Sequence, residues 1–204
     1  VKIAFLGGSF NPVHIGHLAL ADALRVNLGF DRIILVPANI PPHKELAGGA
    51  TAADRIEMLR LAAAEANSLA ACDEAAWLLV DDCELLRGGV SYTVDTARHL
   101  AEKYRGDIEG RLALAIGEDL VDGFDDWHDV PGLLAAVDVV VARRPGGSEK
   151  PFAHPHIRLE NALLPISSSD IRSCIAGKKS WRYLVPDPVY RYIVRHTLYE
   201  PAKH

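Results

Sequence analysis

The chain is expected to fold as an α/β domain, a doubly wound and mostly parallel sheet with helices on both faces, and three observations point there. Short apolar, β-branched runs alternate along it with stretches of helical period, a pattern that argues for right-handed crossovers between parallel strands. Runs such as Arg32–Pro37 (RIILVP) and Val137–Ala142 (VDVVVA) are nearly continuous in apolar character, as strands covered on both faces require. Gly, Ser, Pro and His collect in the loops that follow the strands, where sheets of this kind hold their ligands.

Taken in order, Val1–Leu6 (VKIAFL) reads as a first buried strand and His17–Leu28 (HLALADALRVNL) as the helix after it. Arg32–Pro37 is the second strand, and Ala53–Asn67 (ADRIEMLRLAAAEAN) is strongly helical. Trp77–Cys83 reads as a third strand and Thr93–Tyr104 (TVDTARHLAEKY) as a helix, with Ser91 placed to cap it. Leu112–Ile116, Val137–Ala142 and His156–Leu159 continue the strand series, and a late helix opens at Ser167 and runs toward Ala176. Arg144–Pro155 reads as a surface loop. No linker divides the 204 residues, so one domain is expected, with residues from about 167 to 204 as a small helical subdomain.

Composition excludes several classes. With 49% hydrophobic and 24% charged residues the chain is of ordinary globular type. A net charge of −5 offers no global attraction to nucleic acid or to an anionic membrane. Any anionic substrate must therefore be held by local positive groups. The three cysteines, Cys72, Cys83 and Cys174, form no C-x-x-C and cannot all pair, which suits reduced thiols in a cytoplasm. No apolar run reaches the roughly 20 residues of a membrane helix, and no signal-peptide pattern opens the chain.

The densest chemistry lies in Gly7-Gly8-Ser9-Phe10-Asn11-Pro12-Val13-His14-Ile15-Gly16-His17-Leu18. Small residues after a strand let the backbone turn and approach a ligand closely. The helix start that follows directs free amides and a positive dipole end at an anion. His14 and His17, three apart, share a face of that helix start. Neither G-x-G-x-x-G nor G-x-x-x-x-G-K-[ST] is present, so dinucleotide binding and P-loop hydrolysis lose their main support. The H-E-x-x-H spacing of zinc proteases is absent too.

Four further clusters follow. Pro41-Pro42-His43-Lys44 is a stiffened loop offering two positive or donor groups, although the tetrapeptide alone favours a solvated loop with an incidental lysine. Ser91-Tyr92-Thr93-Val94-Asp95-Thr96 follows Glu84 and Arg87-Gly88-Gly89; the cap and the helix dipole account for Ser91 and Asp95 structurally. Gly117-Glu118-Asp119 ends a strand with Trp127 eight residues beyond Asp119. A carboxylate there suits a ribose hydroxyl, and an indole suits a flat ring, although single tryptophans more often belong to a core. Ile166-Ser167-Ser168-Ser169-Asp170-Ile171-Arg172 opens the late helix, giving a second amide-rich anion site with a guanidinium one turn in.

Together these strings resemble the bacterial nicotinate-nucleotide adenylyltransferases of the nucleotidylyltransferase superfamily, in the order GGSFNPxHxGH, PPHK, the Arg87–Thr93 signature, GxD followed by Trp, and ISSS-D-IR. Ser169 stands where the family usually has threonine, which keeps the hydroxyl. The resemblance implies a Rossmann-like nucleotidylyltransferase fold and adenylyl transfer from ATP to nicotinate mononucleotide. It further implies that Gly7, Gly8, Ser9, Phe10, His14, His17, Asp119, Ser168, Ser169 and Arg172 contact ATP. Asn11, His43, Lys44, Tyr92, Thr93 and Trp127 are then expected on the nicotinate nucleotide, and His14, His17, Lys44 and Arg172 act on the transferring phosphates. Mg²⁺ is expected to arrive with ATP, held by phosphates and water, with no protein metal ligand. A homo-oligomer is compatible with the chain; a nucleic-acid or membrane partner is not expected. Two rivals stay open at this level: a transferase for another phosphorylated acceptor, such as pantetheine phosphate or glycerol phosphate, and a catalytically silent adenine-nucleotide sensor.

Overall fold

The structure, a computed structural model, describes residues 1–40, 48–69, 75–143 and 150–201. Its strands are β1 (Ile3–Gly8), β2 (Arg32–Pro37), β3 (Leu78–Val80), β4 (Leu112–Gly117), β5 (Val137–Ala142) and β6 (His156–Leu159). They form one sheet in the order β3-β2-β1-β4-β5-β6, with every pairing parallel. The chain winds outward from β1 through β2 to β3, then crosses back to place β4 against the other side of β1. A crevice opens at this reversal, beyond the carboxyl ends of β1 and β4.

Among the described residues, seven α-helices accompany the strands: α1 (Ile15–Leu28), α2 (Ala52–Ser68), α3 (Cys83–Arg87), α4 (Thr93–Lys103), α5 (Val130–Ala136), α6 (Ser168–Ala176) and α7 (Asp187–Arg195). The two-residue period of the strands sorts their side chains into two cores. Ala4, Leu6, Ile33, Leu35, Ala113 and Ala115 face α1, α2, α6 and α7, packing on Leu24, Met58, Leu59, Ile171, Val189 and Ile193. Ile3, Phe5, Ile34, Val36, Leu112, Leu114 and Ile116 face α3, α4 and α5, packing on Val94, Ala97, Leu100 and Leu133. Burying one such large apolar side chain is worth about 1.5–3 kcal/mol. A slip of one residue would exchange the small Ala113 and Ala115 with the larger Leu112, Leu114 and Ile116 between the two cores, so side-chain volume specifies the register. β1 and β2 pair from Ile3–Arg32 to Gly8–Pro37, bringing Gly7 and Gly8 level with the end of β2.

Two local expectations are corrected. The third strand is only Leu78–Val80, shorter than the expected Trp77–Cys83. Asp81 Oδ1 accepts the Cys83 backbone N–H at 3.0 Å, which turns the chain out of the sheet and into α3. Nor does Ser91 cap α4: Tyr92 holds that position, and the Ser91 hydroxyl accepts the Asn39 backbone N–H at 2.9 Å. That bond ties the end of the β2 segment to the start of α4. α2 begins where Thr51 and Asp54 cap one another, through Asp54 N–H to Thr51 Oγ1 at 3.1 Å and Thr51 N–H to Asp54 Oδ2 at 2.8 Å. Among the described residues no helix is long and apolar enough to cross a membrane, and Cys83 and Cys174 are free thiols. Cys72 lies outside the described residues.

Candidate active site

The crevice is a cavity of about 580 Å³. Its phosphate-like end begins with the turn out of β1. A Cβ on Gly8 would stand 3.3 Å from the Phe10 ring, so glycine there lets Phe10 fold back over the strand end. Phe10 itself has φ 44°, a left-handed backbone that reverses the chain before α1. His14 is the N-cap of α1, and a Cβ on Gly16 would come within 3.0 Å of its Nδ1. The glycine between the histidines thus makes room for the His14 ring against the helix start. The two imidazoles stack at 3.7 Å, and Phe10 meets the His17 ring edge-on at 4.8 Å. His17 Nδ1 accepts the His14 backbone N–H at 3.2 Å, which assigns the proton of a neutral His17 ring to Nε2. His14 and His17 both line the cavity.

Donors from elsewhere in the fold pin the carbonyls of this loop. Arg55 Nη1 donates to Ser9 O at 2.9 Å, Arg172 Nη1 to Asn11 O at 2.6 Å and Ser168 Oγ to Pro12 O at 2.8 Å. The Tyr199 hydroxyl donates to Asn11 Oδ1 at 2.7 Å. The loop is therefore held by α2, by α6 and by the segment after α7. Buried Arg55 has its guanidinium pKa drawn down by desolvation and supported by Tyr199 and Glu84. Burial likewise pushes the Tyr199 phenol far above its ordinary value.

α6 brings the second helix start. Ser167 caps it by accepting the Asp170 N–H at 3.1 Å, and Ser168 and Ser169 line the cavity. Arg172 does not line it. Its guanidinium also donates to Ser169 Oγ at 3.1 Å and faces an adjoining concavity of about 440 Å³ with Gly48, Gly49, Tyr199 and Glu200. Ser169 borders both spaces.

The opposite end is aromatic. Trp127 packs 5.0 Å from the buried Phe124 ring and His128 stacks on Tyr92 at 4.3 Å; Trp127, His128, Tyr92 and Thr93 all line the cavity. Asp119 lies at the rim, in the single turn after β4. Beneath them Glu84 accepts the Thr96 hydroxyl at 2.6 Å, while Arg87 donates to the same hydroxyl at 3.1 Å. Burial raises the Glu84 carboxyl pKa, against hydrogen bonds from Thr96 and Ser91 and the charges of Arg87 and Arg55.

Of the residues expected on ATP, the structure gathers Gly7, Gly8, Ser9, Phe10, His14, His17, Asp119, Ser168 and Ser169 around the cavity. Arg172 stands beside it. Of those expected on the acceptor, Tyr92, Thr93 and Trp127 line it. Asn11 does not: it is buried, with its side-chain oxygen engaged by Tyr199, and acts as scaffold for the loop. His43 and Lys44 lie outside the described residues. Sequence reasoning passed over Arg55 and His128 and assigned Glu84 no role. The signal for Arg55 was available, since it shares the i, i+3, i+4, i+7 stripe of α2 with Met58, Leu59 and Ala62. A cation on an apolar stripe calls for a buried partner.

One trio among the described residues, Asp81, Cys83 and His99, has metal-ligating atoms within 4.8 Å of one another, and none of the three lines the cavity. Lys103 already donates to Asp81 at 2.7 Å, and burial with the nearby Asp81 charge pushes the Cys83 thiol up to about 12. The trio is a protonated thiol beside an ion pair.

A doubly wound parallel sheet with two helix starts meeting over the β1–β4 crevice suits a phosphorylated ligand such as a nucleotide. Residues 5–174 accordingly match the cytidylyltransferase-like family. A protein of Treponema pallidum (strain Nichols) named "Probable nicotinate-nucleotide adenylyltransferase" is 42% identical, covering 98% of this chain and 99% of that one. A protein of Borrelia garinii with the same name is 39% identical over 98% and 95% of the two chains. In fold, the chain is similar to the Plasmodium falciparum nicotinic acid mononucleotide adenylyltransferase complexed with NaAD, with a TM-score of 0.72, 17% identity and 97% of each chain covered. The chain belongs to the nicotinate-nucleotide adenylyltransferase branch of the cytidylyltransferase-like family.

Proposed function

We propose that this chain transfers the adenylyl group of ATP to nicotinate mononucleotide, forming deamido-NAD and releasing pyrophosphate. The observation that carries the reading is one cavity with two kinds of end: two helix starts with stacked histidines at one, and Trp127, Tyr92 and Thr93 at the other. The attacking group is a phosphate monoester, mostly dianionic at neutral pH because its second pKa is about 6. It needs no general base. The reaction needs two anions held in line and the charge on departing pyrophosphate stabilised.

In this reading the start of α1, His14 and His17 hold the α-phosphate and the entering phosphate. ATP enters as its Mg²⁺ complex. In this reading the phosphates and water hold the metal. The triphosphate tail leaves over Ser169 toward Arg172, whose guanidinium receives the outer phosphates. The pyridine ring lies on Trp127, and its carboxylate meets donors near Tyr92 and Thr93.

Mixing the protein with ATP and nicotinate mononucleotide should release pyrophosphate, with the amide nucleotide used less efficiently. A buried donor left unpaired costs about 1–3 kcal/mol, which predicts roughly tenfold to hundredfold preference in kcat/KM for the acid. Absence of pyrophosphate with either nucleotide rejects the function. Arg172→Ala should lower kcat/KM for ATP about tenfold or more, from loss of a charge-assisted contact, with a smaller change in the apparent affinity for the acceptor. If only the acceptor is affected, the two anion sites are exchanged.

A further inference from the structure

We infer that His128 selects the acid nucleotide, its imidazolium side chain standing as counter-ion to the carboxylate on the acceptor's pyridine ring. The inference rests on the reading above and adds a charged, titratable element to it. His128 directly follows Trp127, lines the same cavity, and is oriented by its ring contact with Tyr92 at 4.3 Å. The ring surface of Trp127, the Tyr92–Thr93 segment and the His128 imidazole therefore border one end of the cavity. In this inference a pyridine lying on Trp127 turns its carboxylate toward that imidazole. Among the residues lining the cavity, His14 and His17 are engaged at the other end, at the start of α1. Among the described residues lining the cavity, His128 is the side chain at the aromatic end that can become a cation.

The charged groups around His128 are mostly acidic. Asp129 follows His128 directly, and its carboxyl is held below the usual range by Arg98, by the Gly132 N–H and by the His128 charge. Arg98 Nη2 bonds Asp129 at 2.7 Å and its Nη1 lies 3.8 Å from Asp95, so that cation is shared between two carboxylates on the α4 and α5 starts. In the turn before His128, Asp126 is exposed, and Asp125 pairs with His154 at 2.6 Å. Tyr92 contributes a neutral phenol from the α4 start. Asp119 and Glu84 add acidic groups elsewhere around the cavity. The groups facing His128 are thus acidic, neutral or, for Arg98, already paired.

The sign follows directly. Imidazoles lose their charge as pH rises through about 5–8, so preference for the acid should be greatest at low pH and decline across that window. kcat/KM reports the protonation of the free enzyme. Both nucleotides carry the same titrating phosphate, so its contribution cancels in the ratio of their kcat/KM values. Because the imidazole is exposed to solvent, the effect lies between that of an open ion pair and a desolvated one, about five- to tenfold in the ratio.

The test measures kcat/KM for nicotinate and nicotinamide mononucleotides from pH 5.5 to 8.5, with saturating MgATP, on the wild type, His128→Gln and His128→Lys. In the wild type the acid-to-amide ratio should fall about five- to tenfold across the range. His128→Gln should show a low ratio independent of pH, and His128→Lys a high one independent of pH. A wild-type ratio that does not change with pH, in an enzyme active on the acid, overturns the counter-ion role and leaves the proposed function standing. So does a glutamine variant that keeps both the wild-type ratio and its slope. No turnover of either nucleotide by the wild type overturns the proposed function and this inference together.

Discussion

His17→Ala should lose about 10²–10³-fold in kcat while keeping its fold, the usual consequence of removing one donor that stabilises charge in the transition state. His17 sits at the third position of α1, where the dipole and free amides of the helix already favour an anion. Its Nδ1 is taken by the His14 N–H, so Nε2 is the nitrogen that presents a proton to phosphate. Alanine suits the helix and removes that donor, together with the Nδ1 bond to His14 N–H and the ring contacts with His14 and Phe10. Because the contact is made to charge developing on the transferring phosphate, kcat should fall far more than the apparent affinity for either nucleotide changes. Circular dichroism and thermal melting matching the wild type would show that the loss is chemical. Turnover within a few-fold of wild type would remove His17 from the mechanism.

Arg55→Met should be the most destabilising single change near the site. Arg55 is buried in the α2 face of the core, donates to Ser9 O and lies in the field of Glu84 and Tyr199. Methionine fits the apolar stripe but leaves a carbonyl unpaired and a buried carboxyl without one of its cations. Breaking a buried charge arrangement from one side costs about 3–5 kcal/mol, or roughly 6–20 °C in Tm for a chain of this size. Adding Glu84→Gln to Arg55→Met should restore part of the loss, because the uncompensated charge is then gone. A Tm within about 2 °C of wild type for Arg55→Met would show that the network contributes little.

Much of the fold was legible because its signals are local. Nearly continuous apolar runs such as IAFL, RIILV and LALAI, together with helical stretches between them, are enough to specify parallel strands covered on both sides, and those are the strands observed. The candidate site at the start of α1 was legible for the same reason: Gly7 to His17 is continuous in sequence, and its parts meet within one turn of helix. Ser167 to Arg172 is likewise contiguous, and Ser167 caps the helix it opens. Where local cues competed, tertiary contacts decided. Ser91 is a good helix cap by type, yet its hydroxyl is claimed by Asn39 N–H, 52 residues away in sequence. The apolar run after Trp77 could have extended as a strand, but the Asp81 carboxylate turned it at Cys83.

The sequence by itself determined which chemistry this chain can support, because phosphate sites at helix starts are built from consecutive residues with fixed geometry. Only the tertiary structure decided which of those residues share a space and which hold the others in place. Asn11 belongs to the same string as His14, but Tyr199, 188 residues later, takes its side chain into the scaffold. Arg172 reaches from α6 to Asn11 O and faces the neighbouring concavity, not the main one. Arg55 secures Ser9 from α2, and His128 meets Tyr92 across the start of α4. Each of these contacts joins segments brought together by burying apolar faces on a common sheet. Their partners are set by strand order and helix packing, which no stretch of consecutive residues encodes.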